Sequence, residues 1–394
     1  MRLDKFMDFL ADADTKHKMI LVIFVLAVMP AGIFFLLLNI YPSEEIVAYS
    51  GLYLVLLIIV LSPAASFFSD ILVLRNIKKV NAYCRKAKQG IYQIPFDLPP
   101  EKGQENDFLR MKRNLYWMGQ IIAKREAKLL DVLRELKNAQ AKIVESIEYA
   151  SLIQHSLLPS PRVLDDIFED HFIWWEPRDV VGGDTYWAAK SREGYFAGVI
   201  DCTGHGVPGA FVTLIVHTLL EKIATAGSWN NPALVLQHLN QQMKAFLARN
   251  NSSPLVDDGF DAGLCFVNSG HDKMTFAGAG RPLFCGYDGK IHEIRGSRAG
   301  VAYSRVPEDT EYLNHTIEIQ SGMRFYLATD GVTDQIGESN RLPFGKKKLK
   351  RLLSQTYSLP LKEQRLVLAE SLEEYTGNES RRDDLTLLAF VPRM

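Results

Sequence analysis

Residues 19–40 form a run of 22 positions without one charged side chain, broken only by Pro30, Gly32 and Asn39, and residues 46–68 form a second such run. No other feature restricts the chain as severely. At about 1.5 Å of rise per residue the first run makes roughly 33 Å of helix, enough to cross the hydrocarbon core of a bilayer. Neither run has the polar face that a surface helix of a soluble domain presents to water. Pro30 and Pro63 are tolerated in membrane-spanning helices, where freed backbone groups find other partners. A cleaved signal peptide fits poorly, because the first run is long for one and a second follows at once. Residues 41–45 between the runs form a tight acidic turn, with no room for an external sensor domain. Arg2, Lys5, Lys16 and Lys18 lie before the runs, and Arg75, Lys78, Lys79, Arg85, Lys86 and Lys88 after them. The positive-inside rule puts both termini in the cytoplasm. Residues 1–70 are therefore expected to be an N-terminal segment and transmembrane hairpin, with spans near 19–40 and 46–68 and the lipid bilayer as a partner.

Beyond residue 70 the composition turns to charged, amphipathic helix. Residues 71–89 and 105–124 read as two helices around a break at 90–103 that holds Pro95, Pro99 and Pro100. This helix–connector–helix pattern over 71–124 resembles a HAMP linker, with Glu105 in keeping and the usual proline at the first helix's start missing. An apolar seam follows at seven-residue spacing: Ile122, Leu129, Leu136, Ile143 and Ala150, with Val132 and Ala139 three residues after two of them. Such a seam over 125–159 predicts a parallel coiled coil and a homodimer. A single amphipathic helix lying on the following domain is the alternative. Pro159 and Pro161 stop the helix. His155, near its end, could be the phosphoacceptor of a histidine kinase, but no acidic residue follows it and no glycine-rich ATP lid appears downstream. It reads as a helix-surface or interface residue.

The charge balance, 45 Lys+Arg against 46 Asp+Glu, gives no basic excess for nucleic acid. The basic run 346–351 shares its helix with Leu349, Leu352 and Leu353 at core-facing spacing, so it reads as a solvated face; a lipid contact is the other reading. Cys84, Cys202, Cys265 and Cys285 are scattered without metal-ligand spacing, which fits a reducing compartment better than a disulfide framework.

Residues 160–394 alternate strand-like and helix-like segments, and aspartates recur where strands run into loops: Asp184 after Gly182 and Gly183, Asp201 before Cys202, Asp330 before Gly331, and the pair Asp383–Asp384. Each adjoins an apolar strand, so its carboxylate is held at a core edge. Converging carboxylates cannot all stay ionised without cations. Hard divalent ions with oxygen ligands are the natural partners, and two of them can activate a water for attack on phosphorus. Gly182, Gly183, Gly204, Gly206 and Gly331 allow close backbone approach. Pro208 suits the first turn of a helix over 208–225 whose N-terminus favours an anion. Singly, each signal is no more than a turn.

Together, the succession Gly-Gly-Asp-x-Tyr, Asp-Cys-Thr-Gly-His-Gly-Val-Pro-Gly-Ala-Phe, Thr-Asp-Gly-Val-Thr-Asp-Gln and Arg-Asp-Asp-Leu-Thr resembles the SpoIIE/RsbU branch of the metal-dependent (PPM, type 2C) phosphatases. The likeness runs from about residue 151 to the C-terminus. It implies an α+β fold, an αββα sandwich with two Mn²⁺ or Mg²⁺ ions at one end. By motif position Asp184 and Asp201 would be catalytic ligands, Asp201 bridging both ions. Cys202 would offer its backbone carbonyl, and Asp330 and Asp383 would complete the set, with Asp384 as the alternative to Asp383. The segment 151–159 matches the family's helix leading into the catalytic core. Thr185 and Trp187 depart from the pattern, as does the stretch 276–283 where Ala-Gly-His-Asn-Pro is usual. Arg281 and His205 are candidates for substrate or phosphate contact, or else a solvated turn arginine and a loop filler.

The resemblance implies a serine/threonine protein phosphatase acting on a phosphorylated partner, a STAS-domain regulator in this family, and the hairpin would place it at a bacterial inner membrane. A non-catalytic pseudophosphatase scaffold is the second reading and a histidine kinase using His155 the third.

Overall fold

The computed structural model describes residues 15–40, 43–92, 98–101, 105, 107–225, 230–250, 257–339 and 341–393. Arg2, Lys5, the start of the turn at 41–45, and Pro95 and Gly103 of the connector lie outside the described residues. The chain divides into two units, Met1–Ala139 and Gln140–Met394.

The first unit is helical. Helix α1 (Thr15–Ile23) runs through a π-helical stretch, Phe24–Val28, into α2 (Met29–Ile40). Helix α3 (Ser43–Ser69) carries Pro63 inside it and passes through a second π stretch, Asp70–Leu74, into α4 (Arg75–Lys88). A π stretch re-satisfies backbone groups where the regular ladder is interrupted. Apolar side chains around these helices stay uncovered, Ile20, Phe24, Phe35, Leu36, Ile58, Ile59 and Phe67 among them. The apolar stretches Ile20–Leu36 and Val55–Ser69 fall short of the length that crosses a membrane unaided by flanking residues. Helix α5 (Asp107–Leu157) is a single element of 51 residues that runs from the first unit into the second. Against its start, the Tyr83 hydroxyl donates to the Leu115 carbonyl at 2.8 Å. A Cβ at Gly119 would strike that same hydroxyl, so the helix pair needs glycine there. Glu105 is ion-paired with Arg113, which also donates to the Pro99 carbonyl at 3.0 Å and ties the connector to α5. Leu129, Leu136 and Ile143 of the heptad seam are exposed.

The second unit is layered helix, sheet, sheet, helix. One antiparallel sheet has the order β2 (Asp184–Ser191), β3 (Gly194–Cys202), β4 (Phe260–Asn268), β5 (Lys273–Ala279), β8 (Asn314–Glu318). The other has β1 (Phe168–Glu176), β10 (Leu385–Pro392), β9 (Arg324–Ala328), β6 (Leu283–Tyr287), β7 (Lys290–Ile294). Central strands such as β3, β4 and β10 are apolar on successive residues because both faces are covered. Alternate side chains therefore enter different cores. Val199, Cys265, Phe325 and Phe390 meet between the sheets. Trp187, Phe196 and Ile200 face α7 (Gly206–Thr225) and α8 (Pro232–Asn250) through Val216, Leu220 and Leu236. Trp174, Tyr326 and Leu387 face α9 (Gly345–Gln355) and α10 (Leu361–Thr376). Helix α7 is the one described helix long and apolar enough to span a membrane. Its buried Val212, Val216, Leu220 and Ile223 make it a core helix.

The basic run sits on α9 as a solvated face. Leu349 and Leu353 are buried, Lys350 pairs with Glu293 at 3.2 Å, and Lys348 lies 3.6 Å from the Tyr375 ring centre. Helix α6 (Pro161–Ile167) joins α5 to β1, with Pro161 at its N-terminal turn. All four cysteines are free, Cys84 exposed and the others buried.

Candidate metal centre

The pairing of β2 with β3 sets Asp184 opposite Asp201, and the pairing of β3 with β4 sets Asp201 opposite Asp261. Directly paired residues share a face. By alternation from Val199 and Cys265, that face is the one between the sheets, at the end of the sandwich where β3 gives way to α7. Three carboxylates thus stand in a row across adjacent strands. From the opposite sheet come Asp330, on a short 3₁₀ turn after β9, and Asp383 and Asp384, just before β10.

Asp184 is 2% exposed, and its Oδ2 accepts from the hydroxyls of Thr329 at 2.6 Å and Thr386 at 2.8 Å. Its backbone carbonyl accepts from the Trp175 indole at 3.0 Å. Arg281 is the common partner of the rest. Its Nη2 lies 2.6 Å from Asp201 Oδ2, 2.7 Å from Asp330 Oδ2 and 3.5 Å from Asp261 Oδ2. Only the Asp330 contact has hydrogen-bond geometry, so Asp201 Oδ2 is buried without a hydrogen-bond partner. The arginine is thus 12% exposed and paired, not a solvated turn residue.

Asp383 and Asp384, adjacent in sequence, are used differently. Asp384 Oδ2 accepts from the Gly183 amide at 2.6 Å and Oδ1 from the Arg178 amide at 2.7 Å, locking the loop before Asp184. That loop needs its two glycines. A Cβ on Gly182 would fall 2.5 Å from the Asp384 carboxylate, and one on Gly183 would meet the Gly204 and Cys202 carbonyls. Among the described residues, Asp383 Oδ1 accepts from the neighbouring Asp384 amide alone, at 2.9 Å. The Cys202 carbonyl lies at the mouth of the same loop, and the Cys202 amide donates to the Gly183 carbonyl at 3.1 Å. His205 is exposed and meets Asp179 Oδ2 at 3.1 Å.

The charges strain against one another. Burial pushes Asp184 up to about 7; the two threonine hydroxyls oppose the rise and the neighbouring Asp384 and Asp383 add to it. Burial, then the Asp184 charge, drives Asp201 well above the usual carboxylate range. Burial also raises Asp261 and Asp383. It works against the Arg281 charge, but the carboxylates of Asp201, Asp330 and Asp261 outweigh it and hold the guanidinium protonated. Among the described residues no three His, Cys, Asp or Glu side chains close on a metal ion as they stand. The donor set nonetheless fits hard divalent cations. It is all carboxylate and carbonyl oxygen, it holds an unpartnered buried oxygen, and one arginine faces several carboxylates.

Helix α5 reaches this site. Gln154 is buried; its Nε2 donates to the Gly182 carbonyl at 2.7 Å and its Oε1 accepts from the Gly182 amide at 3.2 Å. A further bond to Thr213 Oγ1, 3.1 Å, fastens it to α7. His155 stays on the exposed side, with Nδ1 2.8 Å from the Ser151 carbonyl and its ring edge-on to Trp175. Sequence reasoning missed Asp261, the threonine supports of Asp184 and the Gln154 clamp. Asp261 carried a usable signal, an acidic residue at the start of the apolar strand after Gly259. The others become visible only when distant strands pair.

The family profile described as Stage II sporulation protein E (SpoIIE) matches residues 191–391, about half of the chain. Phosphoserine phosphatase RsbP of Bacillus subtilis (strain 168) is 22% identical over 191 residues, 48% of this chain and 45% of that relative, so the chain spans less than half of its length. The solved SiaA-PP2C domain of Pseudomonas aeruginosa is 37% identical, with a TM-score of 0.58 over 64% of this chain and 98% of that one. The antiparallel double sheet, the aspartate row at its end and these likenesses agree: the chain belongs to the SpoIIE family of PP2C-type phosphatase domains.

Proposed function

We propose that the chain is a membrane-anchored, metal-dependent protein phosphatase that hydrolyses phosphoserine or phosphothreonine on a partner signalling protein. The observation that carries this is the registered row Asp184, Asp201 and Asp261 facing Asp330 and Asp383. Two divalent ions, Mn²⁺ or Mg²⁺, would be held by Asp184, Asp201, the Cys202 carbonyl, Asp330 and Asp383, and when bound they supply an activated water and neutralise phosphoryl oxygens. Thr329 and Thr386 fix the Asp184 carboxylate, as outer groups commonly orient ligands. Asp384 shapes the loop and is the less suitable ligand of its pair, since backbone amides take both its oxygens. The N-terminus of α7 beside Cys202 favours the phosphate anion. His205, exposed at the rim, is suited to substrate contact.

The charge-free runs 19–40 and 46–68 within α1–α3, with their uncovered apolar surface, support two spans, with the catalytic unit cytoplasmic at a bacterial inner membrane. The exposed heptad seam on α5 supports a homodimer. A HAMP-like role for 71–124 and a STAS-domain substrate rest on the family resemblance alone. RsbP is named a phosphoserine phosphatase, which favours phosphoserine.

The test is Mn²⁺-dependent release of phosphate from a phosphoserine protein and from p-nitrophenyl phosphate. Asp201→Asn and Asp184→Ala are expected to lose the activity. A wild type no faster than these variants overturns the enzyme reading and leaves the non-catalytic scaffold, which the Arg281 ion pairs would favour.

A further inference from the structure

Arg281 is held inside the acidic cluster by contacts of an uncommon kind. One nitrogen, Nη2, stands within 2.7 Å of a carboxylate from each sheet, Asp201 of β3 and Asp330 after β9, with Asp261 of β4 at 3.5 Å. Its side chain is 12% exposed, and its Nε is buried without a hydrogen-bond partner. A guanidinium is tied well when it offers a carboxylate two parallel donors. Here a single nitrogen lies against three carboxylates with hydrogen-bond geometry to Asp330 alone, and another donor goes unused, which is how a point charge is bound rather than a fork. The backbone fixes where the arginine starts. Gly280, just before it, has a φ of 74° and no space for a Cβ against the Asp261 carboxylate, so the loop is pressed onto the aspartate row.

We propose that Arg281 is a built-in counter-cation: its guanidinium occupies the carboxylate cluster when metal is absent and must leave Asp201 and Asp330 for a divalent ion to bind there. The inference rests on the metal-centre reading above. A charge that neutralises the same oxygens as the metal opposes its binding, by reciprocal coupling. The same charge keeps the metal-free domain folded, because uncompensated buried carboxylates repel. Asp261 then acts as the place where the displaced arginine is retained.

The test uses the full-length protein in detergent, with Mn²⁺ as the probe. Thermal midpoints in chelator and in Mn²⁺, and Mn²⁺ affinity by titration calorimetry, are compared for wild type, Arg281→Met and Arg281→Lys. Arg281→Met is expected to melt lower than wild type in chelator, to show the larger Mn²⁺-induced shift, and to bind Mn²⁺ roughly tenfold or more tightly. Arg281→Lys, which keeps the charge, is expected to fall between the two. Should Arg281→Met fail to fold, tighter binding by Arg281→Lys, whose weaker grip on the carboxylates eases displacement, supports the proposal by itself. Wild type that binds Mn²⁺, with variants that bind it equally or more weakly, overturns the counter-cation role and spares the metal reading. If neither wild type nor variants bind Mn²⁺, both fall.

Discussion

At the scale of the residue, the neighbours Asp383 and Asp384 make the clearest contrast. Asp384→Ala strips the acceptors from two backbone amides, one of them buried, and an unsatisfied buried donor costs about 1–3 kcal/mol. A fall in thermal midpoint, seen with or without Mn²⁺, is the expected result. Asp383→Ala is expected to leave the metal-free midpoint in place and to weaken Mn²⁺ binding and phosphate release. Replacing Thr329 and Thr386 together with valine removes both hydroxyls from Asp184 Oδ2, and a loss of about 10- to 100-fold in metal affinity or activity is expected. Away from the centre, His217 on α7 is buried and its Nε2 has no hydrogen-bond partner among the described residues. Burial lowers its pKa, with Glu221 opposing. The unfolded chain takes the proton first, so this contribution is present above about pH 6.5 and is lost as pH falls through the lowered folded value. The acid limb of a midpoint-against-pH profile should flatten in His217→Asn.

At the scale of the element, the end of helix α5 is bonded to the loop beside the acidic centre. Gln154 holds Gly182 by both its carbonyl and its amide, so the helix fixes the register of the loop that ends in Asp184. Gln154→Leu keeps the bulk and removes the bonds. Catalysis falls steeply with small misplacements, and a drop in kcat of about tenfold or more is the expected outcome, together with a lower midpoint from the buried Gly182 amide left without its acceptor. An unchanged kcat would show that the clamp is only structural. Elements were the most legible part of the sequence. The heptad spacing and the prolines at 159 and 161 point to a helix ending near 158, and α5 ends at Leu157. The aspartates flagged at strand ends do lie at one end of the sandwich, because antiparallel pairing brings the start of β2 beside the end of β3 and the start of β10 beside the end of β9. What resisted reading depends on register. Asp261 and Gln154 are ordinary polar residues until β4 lines up with β3 and α5 lies against the Gly182 loop. Arg281 in a glycine-rich turn reads as solvated, since nothing local reveals that three carboxylates surround it.

For the whole molecule, α1–α3 and the second unit pose different solubility problems. Among the described residues, apolar side chains from Ile20 to Phe67 are exposed, whereas the sandwich closes its own cores. Expressed in bacteria, the full chain should partition with the membrane fraction, resist carbonate extraction and require detergent. Recovery in the soluble fraction without detergent would refute the two spans. One small feature of the sandwich extends what can be measured on so hydrophobic a protein. The Trp175 indole is bonded to the backbone of Asp184 and flanked edge-on by His155 of the incoming helix. The chain therefore carries a natural fluorophore where helix and acidic cluster meet. With the other four tryptophans replaced by phenylalanine, its emission would give an unlabelled optical signal of metal occupancy and helix displacement in vesicles.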